Sequence, residues 1–167
     1  MKKNTKIVLA ILAAAVVIGL IIVNIYSVKE QERLANCKQL EIVTSGTSKI
    51  YSYDEQSNLF VDFTAKMKRK NGEVTDKEYS GIELKDILKQ MQISVSDTTE
   101  ITVVCSDQYE IKLTPQEINS DGNIYIVTQE SKQALSKENG TFMMVVTQDE
   151  FSTRWAKNVV QVKISEK

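Results

Sequence analysis

The stretch YSGIELKDIL, residues 79–88, decides the fold. Ser80 and Glu83 have the spacing of a capping box, in which a serine hydroxyl and a glutamate carboxylate satisfy backbone N–H groups at the start of a helix. Apolar residues then follow at helical spacing, namely Leu84, Ile87, Leu88 and Met91. The sequence therefore predicts an amphipathic helix over residues 81–91.

Before this helix the sequence has the pattern of β-strands. Between residues 59 and 67 apolar and polar side chains alternate, which predicts a strand with one buried face. Asn71-Gly72 follows, a pair typical of a tight hairpin turn in which both residues have positive φ. A shorter strand is predicted over residues 40–44, with a turn at 45–48.

After the helix, the sequence predicts more strands than helices. Runs rich in β-branched and aromatic residues predict strands at 101–106, 109–113, 123–128, 142–147 and 159–164. Thr114-Pro115-Gln116-Glu117 has the features of a second capping box, and Asp121-Gly122 those of a turn. Residues 131–137 are expected to form a helical turn. Because both hairpins and helical crossovers join these strands, we expect an α+β domain with a mixed sheet.

The N-terminal part of the chain has an apolar run of membrane-spanning length. Residues 7–26 contain no charged side chain, and a helix needs about 20 apolar residues to cross a bilayer. No small-x-small cleavage site follows the run, which favours an uncleaved signal anchor. The basic residues before the run place the N-terminus in the cytoplasm by the positive-inside rule, and they are Lys2, Lys3 and Lys6.

These features predict a single-pass protein of the cell membrane. We expect residues 1–6 in the cytoplasm, a transmembrane signal anchor over 7–26, a stalk over 27–39 and one extracytoplasmic domain over 40–167. Contact with the membrane is then made through residues 7–26. A single domain is also the expectation for roughly 130 residues that remain after the anchor.

Composition excludes several classes of function. The chain of 167 residues has 21 basic and 22 acidic side chains and no histidine. Balanced charge offers no positive field for a phosphate backbone, so nucleic acid is not an expected partner. Without histidine, a serine–histidine triad is impossible and the commonest ligand of zinc, copper and haem iron is missing.

Four short segments, in order, carry a resemblance to a known family. They are YSGIELKDIL (79–88), VVCSDQY (103–109), IYIV (124–127) with GTFMMVV (140–146), and STRW (152–155). They resemble the helix start, the Asp-Gly-Tyr strand end, the second hairpin and the Ser-Val-Lys-Trp segment of the molybdopterin-binding domain of sulfite oxidase-type enzymes. This resemblance covers residues 40–164 and implies the fold of that domain.

The sequence departs from the family at the residue expected to bind the metal. The resemblance implies a cysteine thiolate on molybdenum shortly before the helix of residues 81–91. Residues 61–77 contain no cysteine, and Cys105 follows the helix instead. We therefore expect no metal site and no cofactor, and a non-catalytic binding or interaction module. The alternative is a divergent molybdopterin-dependent oxidoreductase in which another group replaces the cysteine.

The resemblance also implies the candidate site residues. Ser152 and Arg154 are candidates for holding a pterin phosphate or another small anion. Asp107, Tyr109 and Trp155 are candidates for lining a cleft. Each has a simpler interpretation: Trp155 as part of the core, Asp107 bonded to its own backbone, and Arg154 as a solvated loop residue.

Two further questions stay open in the sequence. Cys37 and Cys105 are compatible with a disulfide in an oxidising compartment, but two independent cysteines are favoured because one lies in the stalk and the other in a core strand. The partner is either a small anion or a protein. A third hypothesis is therefore an accessory subunit that docks another membrane protein through the N-terminal helix or an exposed strand edge.

Overall fold

A computed structural model describes residues 16–29 and 38–166. The chain divides into two compact units, Met1–Leu34 and Ala35–Lys167. In the first unit, residues 16–29 are helical (α1), and large apolar side chains such as Val16, Leu20 and Val23 are exposed. Within the described residues, no helix combines the length and apolar character that crossing a membrane requires. The predicted anchor and stalk lie partly outside these residues.

The second unit begins with a five-stranded mixed sheet, called sheet A here. Its strands are β1 (Gln39–Thr44), β2 (Thr47–Ser52), β5 (Thr99–Cys105), β6 (Glu110–Leu113) and β10 (Val159–Glu166). Their order across the sheet is β2-β1-β10-β5-β6. β1 and β10 run parallel, while the other neighbours run antiparallel. The mixed sheet agrees with the α+β class expected from the sequence.

The second sheet of this unit, sheet B, is antiparallel. Its strands are β3 (Val61–Lys68), β4 (Val74–Glu83), β7 (Ile124–Glu130), β8 (Gln133–Ala134) and β9 (Met143–Val146). β7 pairs with β4 on one side and with both β8 and β9 on the other. Helices α2 (Leu84–Gln90) and α3 (Pro115–Asn119) and a 3₁₀ turn (Ser152–Arg154) complete the described domain.

Two apolar clusters stabilise the domain. The larger takes side chains from both sheets and from α2, including Leu40, Ile82, Leu88 and Ile126. The smaller contains Val127 and its neighbours Ala65, Tyr79, Tyr125, Met143 and Val145. Because successive side chains of a strand point to opposite faces, Ile126 and Val127 contribute to different clusters. Both faces of sheet B therefore carry apolar side chains, because the apolar residues of β7 and β9 follow one another without polar alternation.

The predicted capping box at residues 80–83 is wrong. These residues complete β4, and the helix begins at Leu84 after an N-cap residue without a side-chain cap bond. The Ser80 hydroxyl donates to Asp62 Oδ1 at 2.6 Å. At Gly81 a Cβ atom would lie 2.5 Å from the carbonyl oxygen of Ile126. Pairing with strands on both sides satisfies this backbone, so the local helix signal does not decide its conformation.

The second capping box is confirmed. Thr114 Oγ1 accepts the Glu117 N–H at 3.2 Å, and Glu117 Oε2 accepts the Thr114 N–H at 2.8 Å. Proline occupies the first helical position of α3, where its missing N–H removes no helical hydrogen bond. Here both signals are local to four residues, so the sequence is sufficient to predict the helix start.

Three predicted turns differ from the structure. Residues 131–137 do not form a helical turn, because Ser131 and Lys132 both have positive φ and reverse the chain into β8. In the hairpin between β3 and β4, Gly72 has φ +87° but Asn71 is not in the positive-φ region. The turn predicted at 45–48 is shorter than expected, because strand β2, missed in the sequence, begins at Thr47.

Candidate functional site

Arg154, the candidate anion-binding residue, is engaged by two carboxylates of its own chain. Its Nε donates to Asp149 Oδ2 at 2.8 Å, and its Nη2 donates to Glu117 Oε1 at 2.6 Å. Nη2 also donates to Asp149 Oδ1, which makes the Asp149 pair bidentate. One guanidinium and two carboxylates together carry a net charge of −1. This group, called the Arg154 corner, is therefore electrostatically unsuited to a further anion.

Glu117 has two roles in the Arg154 corner. It caps α3 through Thr114, and it pairs with Arg154 from 37 residues away in the sequence. Burial alone would raise the pKa of Glu117, but hydrogen bonds from Arg154 and Thr114 outweigh it and hold the pKa below its ordinary value. The same contacts with Asp149 and Glu117 raise the pKa of Arg154. The corner thus ties the start of α3 to the 3₁₀ turn and to Asp149 before it.

Ser152, the second candidate, also binds within the protein. Its hydroxyl donates to the backbone carbonyl of Lys68 at the end of β3, at 3.0 Å. Lys68 in turn pairs with Glu150 at 2.9 Å, and its ammonium group lies 4.6 Å from the centre of the Phe151 ring. The hydroxyl proton that would bind an anion is therefore used to attach the 3₁₀ turn to sheet B.

Trp155 lies between the two apolar clusters. Its ring packs against both clusters and meets Tyr79 edge to face, with ring centres 5.8 Å apart. The indole N–H donates to the carbonyl of Val146 at 2.9 Å. A half-buried tryptophan with its only donor satisfied joins two parts of the core.

Asp107 and Tyr109 lie in the other sheet, at the turn between β5 and β6. Asp107 Oδ1 accepts the backbone N–H of Tyr109 at 3.0 Å, and the Tyr109 side chain is exposed. Gln108 takes φ +68°, so this turn keeps a left-handed residue although glycine is absent. In the described part of the chain, no hydrogen bond or ring contact joins these residues to Trp155. The described structure therefore does not join the three candidate cleft residues in one contact.

Cys105 is a free, buried thiol at the end of β5. Burial, with a smaller contribution from Asp107, raises its pKa to about 11, so the thiol is protonated at neutral pH. It lies in sheet A, whereas the β3–β4 hairpin, where the resemblance implies a thiolate, is in sheet B. Cys37 lies outside the described residues, so the expectation that the two cysteines are independent stays a prediction.

The clefts on the described domain include three with volumes of about 200, 250 and 240 Å³. The second contains an ion pair between Lys132 and Asp62, with Ser80 bonded to the same carboxylate. Sequence reasoning missed this cleft, because Lys132 reaches Asp62 only through strand pairing. Arg154 and Ser152 line none of the three.

Comparison with known proteins decides the family. The model of the oxidoreductase molybdopterin binding domain matches residues 30–167. The chain belongs to this family. Among solved structures, the sulfane dehydrogenase SoxCD from Paracoccus pantotrophus is similar with a TM-score of 0.62 and 14% sequence identity. The match covers 77% of this chain and 38% of that one, and at this identity it shows the fold alone. No curated protein matches this sequence.

The described residues of this family member do not fit a molybdopterin with its metal. The pterin phosphate would need positive charge, but Arg154 is neutralised by Asp149 and Glu117. The resemblance implies a thiolate on molybdenum shortly before α2, and residues 61–77 contain no cysteine.

Proposed function

We propose that this chain is a single-pass membrane protein whose extracytoplasmic domain acts as a non-catalytic binding or interaction module. The domain keeps the fold of the molybdopterin-binding family without using it to hold molybdenum. The observation that carries this proposal is the Arg154 corner, where carboxylates of the chain itself occupy the guanidinium. A fold alone does not determine function, so loss of the site is compatible with retention of the scaffold.

The membrane anchor is supported by the sequence and by the surface of α1. Residues 7–26 are uncharged, and the described part of the helix exposes apolar side chains, including Leu20 at 66% and Val23 at 66%. A helix that is apolar on all sides needs an apolar environment to cover it. We propose that this environment is the bilayer, with the N-terminus in the cytoplasm.

Native Cys37 offers a direct test of this orientation. A membrane-impermeant thiol reagent applied to intact cells should label Cys37, because the proposed topology places it outside. The control is Cys37→Ser, which should remove the label, since Cys105 is buried and its pKa is raised to about 11. Labelling that occurs only after the cells are broken would contradict the proposed orientation.

The alternative is a divergent molybdopterin-dependent oxidoreductase, favoured by the match to the family over residues 30–167. Such an enzyme would need a ligand other than cysteine on the metal. It would also need Arg154 and Ser152 to exchange their present partners, Asp149, Glu117 and the Lys68 carbonyl, for a pterin phosphate.

Metal and pterin analysis separates the two functions. The full chain is produced with its N-terminal helix in a host that makes the molybdenum cofactor, alongside a sulfite oxidase-type enzyme that keeps its cysteine. The proposed function predicts no stoichiometric molybdenum or oxidised pterin fluorescence in this chain. The alternative predicts roughly one metal atom per chain, as expected for the control enzyme.

A further inference from the structure

Strand β2 forms an unpaired edge of sheet A. It pairs with β1 along its whole length, and no described strand pairs with its other side. Five of its six side chains are exposed, and the apolar Ile50 is 53% exposed. An edge of this kind presents backbone donors and acceptors to another strand.

The direction of these backbone groups follows from the hairpin. β1 and β2 are joined by the two-residue turn Ser45-Gly46, so Thr44 and Thr47 form a pair that exchanges backbone hydrogen bonds. Such pairs alternate along the strand, which directs the N–H and C=O groups of Lys49 and Tyr51 toward β1. Those of Ser48, Ile50 and Ser52 therefore point away from the sheet.

The other edges of the described sheets are better protected. β6 has four residues and β8 has two, and short edges offer few hydrogen bonds. The other side of β9 is bridged by Ala156 through Met144, and β3, the last edge, carries charged side chains along its length, namely Asp62, Lys66 and Lys68. β2 has six residues, a single charged side chain and no proline. It is the edge with the weakest protection against pairing.

We infer that β2 is a self-association edge, where the domain pairs antiparallel with β2 of a second copy. A two-fold axis at Ile50 places Ile50 opposite Ile50 and Ser48 opposite Ser52. All of these residues have outward-facing backbone groups. The two-fold axis repeats the Ser48–Ser52 pair, so there are three pairs in total, and each can exchange two hydrogen bonds. The register is self-complementary, as a two-fold interface requires. This pairing also places the exposed Ile50 side chain of one chain against the Ile50 side chain of the other.

Charge distribution on the other face favours the same partner. In this register Lys49 lies opposite Tyr51 of the second copy. The Tyr51 hydroxyl donates to Gln90 Oε1 of α2 at 2.6 Å, and Asp86 lies one helical turn before Gln90 on the same helix, so a carboxylate lies on this side of the ring. Neither Lys49 nor Asp86 forms an ion pair in the described part of the chain. Pairing brings the Lys49 ammonium toward the acidic side of the other copy.

The interface is small, so the pairing is weak in solution. Six-residue strands bury much less than the roughly 1,000 Å² of a stable interface. Attachment to a membrane confines the copies and raises their effective concentration. This step rests on the proposed membrane anchor and deepens the proposed interaction role, whereas the register of the pairing depends on neither.

Cysteine crosslinking of the full chain in membranes tests the inference. With Cys37→Ala as background, Ile50→Cys should form a covalent dimer under mild oxidation, because paired Cα atoms about 5.5 Å apart are within disulfide reach. Ser48→Cys is the matched control, since four residues of offset place its two copies about 14 Å apart. The expected result is several-fold more dimer for Ile50→Cys than for Ser48→Cys.

Two further variants establish the register. Differently tagged copies carrying Ser48→Cys and Ser52→Cys should crosslink to each other when mixed. Ile50→Pro, which removes an outward N–H, should strongly reduce crosslinking between those copies. Equal crosslinking of Ile50→Cys and Ser48→Cys, or crosslinking of Ile50→Cys to another protein alone, would overturn the inference. The metal analysis tests the proposed function independently of the crosslinking. A chain that contains no metal and does not crosslink would refute the self-association but not the proposed function.

Discussion

The Arg154 corner and the β2 edge differ in whether their polar groups have partners within the chain. At the corner, a guanidinium, two carboxylates and a helix cap satisfy one another. At the edge, alternate backbone groups face outward and no described strand covers them. Arg154 and its carboxylate partners therefore stabilise the domain, whereas the outward N–H and C=O groups of β2 are available to bind another strand. Substitutions at the two places test that contrast.

The largest effect is expected from proline at adjacent positions of β2. Lys49→Pro removes an inward N–H from the β1–β2 ladder and should cost about 2–3 kcal/mol of unfolding free energy. Ile50→Pro removes an outward N–H and should cost less than about 1 kcal/mol. Urea unfolding of a fragment spanning residues 35–167 measures both. Equal costs would mean that the assigned directions of the backbone groups are wrong.

A smaller loss is expected at the Arg154 corner. Arg154→Ala leaves Asp149 and Glu117 without their shared cation, which should reduce the unfolding free energy by about 2 kcal/mol. The matched control is Arg69→Ala, which breaks the exposed pair with Glu73 and should cost less than about 0.5 kcal/mol. If the two variants are equally stable in urea, the corner is an ordinary surface contact.

Neutralising one carboxylate should have a milder effect. Glu117→Gln keeps an acceptor for Thr114 but loses the charge that faces Arg154, so we expect a loss of about 1 kcal/mol. Glu73→Gln serves as the exposed comparison. A double-mutant cycle with Arg154→Ala measures the coupling between the two residues, and zero coupling would contradict the tie described here.

The smallest expected effect is a difference in acid sensitivity. The pKa of Glu117 is below its ordinary value of 4.5 in the folded protein, so its stabilising contribution is present above that value and is lost as pH falls through the folded pKa. Without Arg154 this pKa rises, and Arg154→Ala should lose less stability between about pH 5 and pH 3. Other carboxylates with lowered pKa affect both proteins alike, namely Asp62, Glu110, Asp121 and Glu166. Thermal unfolding at several pH values would show parallel curves if the account is wrong.

The sequence predicts correctly those elements that are determined by residues close together in the chain. The start of α3 depends on Thr114, Pro115 and Glu117 alone, and it forms as predicted. The start of α2 has an equally good local signal, but Ser80 and Gly81 are paired with β3 and β7 and remain in a strand. β2 was missed because its side chains are mostly exposed and lack the apolar alternation of a half-buried strand.

The site was less predictable than the fold. The family resemblance identified Arg154 and Ser152, but not the groups that engage them. Glu117 is 37 residues from Arg154, and the Lys68 carbonyl is 84 residues from Ser152, so only tertiary structure reveals these contacts. The outward backbone groups of β2 carry no residue-type signal at all. They follow from register, which depends on the turn at Ser45-Gly46.

The central claim is that this domain keeps the fold of its family while the position expected to bind the cofactor is occupied internally. Its most direct test is the molybdenum content of the purified full chain and of Arg154→Ala, both produced in a host that makes the cofactor. We predict equal, substoichiometric metal in the two proteins. About one molybdenum atom per chain, lost on substitution of Arg154, would contradict the claim.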